Sequence, residues 1–197
     1  MKRIHKTALL MAALVSFSSS SNAAITFDVL QFGSGELRVN VSGSIDLGTA
    51  TVLDTLPHQI QFNPLSGIIS SGAIGNNIDL YAVTITPLAG FGSAPTSLGS
   101  ITSSLSSSVF FSVVGGRLGL PEGYVSNTFL LGETRFSNTS IADSGATPGT
   151  HVWQVSIPQD GGGTIEETVT INVVPEPSSL LLAGLGASML VGRRRRQ

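Results

Sequence analysis

Between residues 25 and 173, apolar and polar positions alternate in short runs, and Gly, Pro, Asn and Ser interrupt them before a helical period can build. ITFDVLQF (25–32) alternates and is turned by Gly33-Ser34-Gly35. ELRVNVSGSIDL (36–47) sets Leu37, Val39 and Val41 on one face, with Arg38, Asn40 and Ser42 on the other. DLYAVTIT (79–86) has a mixed pattern. SVFFSVV (108–114) is continuously apolar, as a strand buried on both faces would be, and NTFLLGETRF (127–136) is a further candidate. The clearest unit is the last: THVWQVSI (150–157) and TIEETVTINV (164–173) flank PQDGGG, whose Asp-Gly and glycines supply the positive φ of a hairpin loop. On its second strand Ile165, Glu167, Val169 and Ile171 share one side. Glu167 interrupts that apolar side and is expected near a strand end or the rim. SAPTSLGSITSSLSSS (93–108) is low in complexity and reads as a long loop or a weak edge strand.

About eight or nine short strands with turn signals predict an all-β fold, a single β-sandwich of jelly-roll or Ig-like type over residues 24–173. A parallel α/β fold is disfavoured, because no helical segment is available for crossovers. A region of ~150 residues can bury a real core without disulfides, which suits a chain with no cysteine.

Charge sharpens the picture because it is unevenly placed. Charged residues make up only 11% of the 197. Lys2, Arg3 and Lys6 open the chain, and Arg193, Arg194, Arg195 and Arg196 stand at the other end. Between residues 24 and 175 only Arg38, Arg117 and Arg135 face eleven carboxylates, a net of −8. An acidic middle with no basic stripe argues against nucleic acid as a partner.

The first residues, MKRIHKTALLMAALVSFSSSSNAA, have the form of a signal peptide. A basic opening precedes an apolar stretch (8–17) that is short for a bilayer span. Ser21 and Ala23 fit the −3 and −1 positions of signal peptidase. Residues 1–23 are thus expected to be removed, with the cut after Ala23 or after Ala24.

In VPEPSSLLLAGLGASMLVGRRRRQ (174–197), Pro175, Glu176 and Pro177 precede an apolar run and four arginines. Residues 178–192 would be about 22 Å long as a helix at ~1.5 Å per residue, a marginal span against a hydrocarbon core of ~30 Å. The arginines would stay cytoplasmic, placing the preceding domain across the inner membrane. Pro175 and Pro177 stop a helix from running upstream. Physics alone allows a plain single-pass anchor.

The order of Pro-Glu-Pro, short Leu/Ala/Gly-rich span and arginine cluster closely resembles the PEP-CTERM sorting signal of Gram-negative and related bacteria. The resemblance implies a transient partner, exosortase, a membrane-embedded cysteine transpeptidase that cuts near the motif. In that reading Pro175, Glu176 and Pro177 are recognition elements, 180–191 is a temporary membrane stop, and Arg193 to Arg196 set orientation. LPEGYVSNTFLLGETRF (120–136) and TPGTHVWQV (147–155) are also similar to segments of the β-rich cargo domains of such proteins, with Asn127 where Gly is usual and His151 where Tyr is usual.

Signatures of chemistry are sparse. There is no G-x-S-x-G elbow, P-loop or H-E-x-x-H. Beyond the signal peptide only His58 and His151 remain, too few for a histidine metal cluster, and no cofactor or metal is expected. Asn76, Asn77 and Asp79 match no calcium loop and read as a polar turn. Glu166 and Glu167 point to opposite faces, so they cannot act as a catalytic pair; solvation and edge protection are their expected roles. His151 and Trp153 share a strand face. Exposed together they could contact a glycan, although a core tryptophan is the commoner outcome. The reading is an exported, non-enzymatic structural or interaction protein of the cell surface or exopolysaccharide matrix. The alternatives are a glycan-binding module and a secreted hydrolase.

Overall fold

The computed structural model describes residues 24–33 and 35–175, and its strands follow the alternating runs. They are β1 (Ala24–Phe32), β2 (Glu36–Gly43), β3 (Asp54–Pro57), β4 (Phe62–Asn63), β5 (Ile68–Ser71), β6 (Asn77–Ala82), β7 (Thr84–Thr86), β8 (Ile101–Ser106), β9 (Val109–Ser112), β10 (Arg117–Pro121), β11 (Leu130–Ser137), β12 (Gly149–Pro158) and β13 (Thr164–Val174). A 3-10 turn, Pro64–Ser66, follows β4, and one short helix, α1 (Ile141–Ser144), precedes β12. Helix α1 is held by a reciprocal capping box between Ser140 and Asp143.

Two sheets face each other. One has the order β7-β12-β13-β1-β2-β11-β8, the other β3-β6-β10-β9-β5-β4. The core lies between them. From the first sheet it takes Ile25, Phe27, Val29, Leu37, Val39, Val41, Trp153, Val155, Val169 and Ile171, and from the second Ile69, Tyr81, Phe111, Leu118 and Leu120. Period-two alternation on β1, β2 and β13 produces this directly, since each second side chain is buried. Polar stitches join the layers where β5 crosses the first sheet: Ser71 Oγ donates to the Val39 carbonyl (2.7 Å), and the Gly72 amide donates to Thr134 Oγ1 (3.1 Å). The edge strands β3, β4 and β7 have four, two and three residues, which limits the unpaired backbone they show to other chains.

Several elements differ from the sequence pattern. There are more strands than the eight or nine expected, because pieces as short as β4 and β7 carry too few residues to show a period. The mixed pattern of 79–86 has two causes: the chain passes from β6 in one sheet to β7 in the other at Val83, and while Tyr81, Val83 and Ile85 all enter the core, Leu80 lines the outer face of the second sheet. The run 108–114 is not buried on both faces throughout. Its strand stops at Ser112, Phe110 is half-buried, and Val114 is exposed. The low-complexity segment, by contrast, follows its expectation of a loop or edge strand: within it, residues 101–106 form edge strand β8. Glu167 is not solvated: it is 3% exposed, on the inner face of β13. Finally, β1 and β13 pair in parallel, Ala24 beside Thr168 and Leu30 beside Val174.

The expected signal helix and C-terminal membrane helix lie outside the described residues. Among the described residues no helix is long and apolar enough to cross a membrane.

Candidate functional site

The sorting junction is built by β13. This strand is paired on both sides, with β12 in ten consecutive antiparallel pairs and with β1 in parallel. The 159–163 loop closes the β12–β13 hairpin with Gly162 and Gly163 at positive φ. Val173 is buried and Val174 half-exposed, and Pro175 follows in an exposed position with no N–H to extend the ladder. The expected recognition triad therefore begins one residue past the end of a locked strand. Of that triad Pro175 is described; Glu176, Pro177 and Arg193 to Arg196 lie outside the described residues. At the expected signal-peptidase cut Ala24 is the first residue of β1, and Ala23 lies outside the described residues.

His151 and Trp153 do share a face, but it is the inner one. Trp153 is 2% exposed, and its indole N–H donates to the Ala89 carbonyl (3.1 Å). Its ring meets Phe111 and Phe91 edge-on, at 5.8 and 6.2 Å between centroids, and stacks on His151 at 6.2 Å. His151 Nε2 is 2.9 Å from the Thr147 carbonyl. The expectation of a glycan contact here is corrected: the indole has no face left for a sugar, because three aromatic neighbours and a backbone carbonyl use it.

His58 is 1% exposed, with Nδ1 2.9 Å from the Ala73 carbonyl. Burial pulls its pKa below the ordinary histidine value, partly opposed by that backbone bond. A Ser-His-Asp device needs an imidazole that links a hydroxyl to a carboxylate. Among the described residues both histidines are bonded to backbone carbonyls instead. Asp79, in the polar turn considered for calcium, accepts from Thr55 Oγ1 (2.6 Å) and from the Gly123 amide (2.8 Å), so both its oxygens serve the fold. Glu166 is exposed and accepts from Ser156 Oγ (2.7 Å).

Two features were not legible in the sequence. The first is a groove of about 300 Å³ on the outer face of the second sheet. Strand register sets Ser70, Phe110, Gly119, Leu80 and Asp54 in one row across β5, β9, β10, β6 and β3. Gly119 leaves a notch in that row, and a Cβ there would come within 2.8–3.1 Å of Ile78, Phe110 and Leu80. Leu56 and Pro57 form one wall of the notch, and Gln59 and Gln61 the other. Only the register brings these residues together.

The second is a cluster under Tyr124. The Tyr124 hydroxyl accepts from the Ile45 amide (3.1 Å) and donates to the Thr128 carbonyl (2.7 Å), while Ser126 Oγ accepts from the Leu47 amide (2.9 Å). Asn127 completes this clamp at φ 65°, a left-handed conformation suited to Gly or Asn, with its amide donating to the Ile45 carbonyl (2.8 Å). The clamp presents the Asp46 amide to Glu167 Oε1 (3.0 Å). Burial raises the pKa of both Glu167 and Tyr124.

No curated protein matches the chain. Among solved structures, the collagen adhesin of S. aureus aligns over 78% of this chain and 49% of that one, at 16% identity and a TM-score of 0.24. The alignment thus spans about half the length of that protein. A family model for the PEP-CTERM protein-sorting motif matches residues 173–196, from the last buried residue of β13 through the arginine cluster. The motif implies an exported protein that is processed by exosortase after a membrane-anchored stage. This chain is a β-sandwich that carries a PEP-CTERM protein-sorting motif.

Proposed function

We propose that the chain is a non-enzymatic structural or interaction module of the bacterial surface or exopolysaccharide matrix. Signal peptidase removes residues 1–23, the tail holds the domain at the inner membrane, and exosortase cuts near Pro175, Glu176 and Pro177. The observation that carries this reading is the abutment of the motif on β13. Every residue through Val174 is held in the ladder, and Pro175 is outside it, so a cut beyond Pro175 removes no core residue. Intact mass of the protein from its host, with and without exosortase, tests it. Loss of the segment after the motif only in the exosortase-containing strain supports the reading. A tail retained in both strains makes the chain a permanent anchor and refutes it.

The groove over Gly119 favours a second reading, a glycan-binding module. Its floor of Ile78, Leu80 and Phe110 suits the apolar face of a sugar, and the Gln59 and Gln61 amides suit hydroxyls. None of the residues lining it is ionisable, so a neutral polysaccharide is the fitting class. Retention on neutral glycans that is lost in Phe110→Ala, with the fold intact by circular dichroism, supports this; equal retention by both proteins ends it.

A further inference from the structure

Glu167 is a buried carboxylate with half of its bonding missing. Oε1 takes the Asp46 amide, and Oε2 has no partner. Such a group is costly unless a charge compensates it. The ionisable groups that face it, Asp46 and Tyr124, are acidic. The described arginines are engaged elsewhere or distant in the fold: Arg38 pairs with Glu36, Arg135 with Glu133, and Arg117 stands on β10 of the opposite sheet.

Its position supplies the missing partner. β1 lies between β13 and β2, and Ala24 is beside Thr168, the residue after Glu167. Asp46 is three residues beyond Gly43, which pairs with Ile25. The bond from Asp46 to Glu167 therefore closes the sheet across the start of β1. Strands are about 4.8 Å apart, which is the span a glutamate side chain on β13 has to cover to meet the start of β1.

We propose that signal peptidase cuts after Ala23 and that the α-ammonium so created on Ala24 becomes the partner of Glu167. Water hydrolyses the peptide bond, leaving a carboxylate on residue 23 and an ammonium on Ala24. The amide nitrogen of the uncut chain carries no charge, so the ion pair exists only after processing, and maturation itself completes the sandwich. The structure also selects between the two expected bonds. A cut after Ala24 would delete the carbonyl that accepts the Ser44 amide (3.2 Å) and would start the chain at Ile25, inside the ladder. The inference rests on the export reading above and adds to it the bond and the purpose of Glu167.

Lysine occurs only at Lys2 and Lys6, so the α-amine is the only primary amine of the processed chain. The test is acylation of processed full-length protein by an amine-reactive ester, with the N-terminus identified by mass. Pairing raises the amine pKa above its ordinary ~8 and shields the nitrogen. At pH 7 acylation is then about tenfold slower than in Glu167→Gln, which keeps an oxygen for the Asp46 amide. The difference disappears in denaturant. Equal native rates overturn the pairing. An N-terminus at Ile25 overturns the assigned bond and leaves the export reading standing, whereas a chain that still begins at Met1 shows that the processing reading is the part that failed. Should Glu167→Gln not fold, Glu167→Asp, which withdraws the carboxylate by one methylene, must still accelerate acylation.

Discussion

Trp153→Phe isolates what the indole does in this core. The phenyl ring keeps an aromatic group beside Phe91 and Phe111 but loses the N–H that serves the Ala89 carbonyl. An orphaned buried carbonyl costs about 1–3 kcal/mol. Weakening the edge contacts adds about 0.5–1.5 kcal/mol. The sum, about 1.5–4.5 kcal/mol, lowers Tm by roughly 3–18 °C in a domain of this size. Trp153→Ala should cost about 3–5 kcal/mol through the cavity it leaves. Far-UV circular dichroism of the processed protein in a thermal and a urea series measures both variants, with the urea slope as a check that the unfolded reference has not changed. Trp153 is also the only tryptophan, so wild-type fluorescence reports this one site. Its emission should be blue-shifted and resistant to iodide. A Tm change below about 2 °C for Trp153→Phe, or ready quenching by iodide, would refute the core assignment and return the indole to the surface.

Other outcomes follow from local geometry. Gly43→Ala should destabilise by several kcal/mol, about 1–3 of them from backbone strain, since φ is 120° and the new Cβ would lie 1.9 Å from the Ala24 carbonyl oxygen; urea unfolding measures it. His58 has a depressed pKa in the folded chain, so its contribution is complete above the ordinary histidine value and is lost as pH falls through the lowered one. Tm should therefore drop between about pH 7.5 and 5, and His58→Gln should flatten that slope. Arg38 and Arg135 stand directly opposite on β2 and β11, and each is paired with a glutamate on its own strand. Glu36→Gln or Glu133→Gln alone should cost less than about 1 kcal/mol. The double variant should cost more than the sum, because the arginines then face each other uncompensated, and added salt should shrink the excess.

The lesson of individual residues is consistent. Leu37, Val39 and Val41 were placed on one face by alternation alone, because a strand side chain has only two directions and the apolar one is the core. The hairpin of β12 and β13 was legible because its turn chemistry is local. Glu167 does lie near a strand end, but its expected solvation is wrong, because what makes its burial tolerable, the Asp46 amide, is 121 residues away in sequence. Trp153 and His151 were correctly paired on a face, but pattern does not say whether that face is lined by solvent or by Phe91 and Phe111. The groove over Gly119 draws on five strands, and no window of sequence contains it.

The sequence by itself determined what short-range physics controls: where strands run, where turns break them, and the order of motif, apolar span and arginines in the sorting tail. Membrane insertion and motif recognition act on a contiguous stretch, so that tail needs no tertiary context to be read. The tertiary structure alone decided which strands are neighbours, the change of sheet at Val83, and the parallel pairing of β1 with β13. Those depend on contacts between residues far apart in the chain, and they bring Ala24 alongside Glu167.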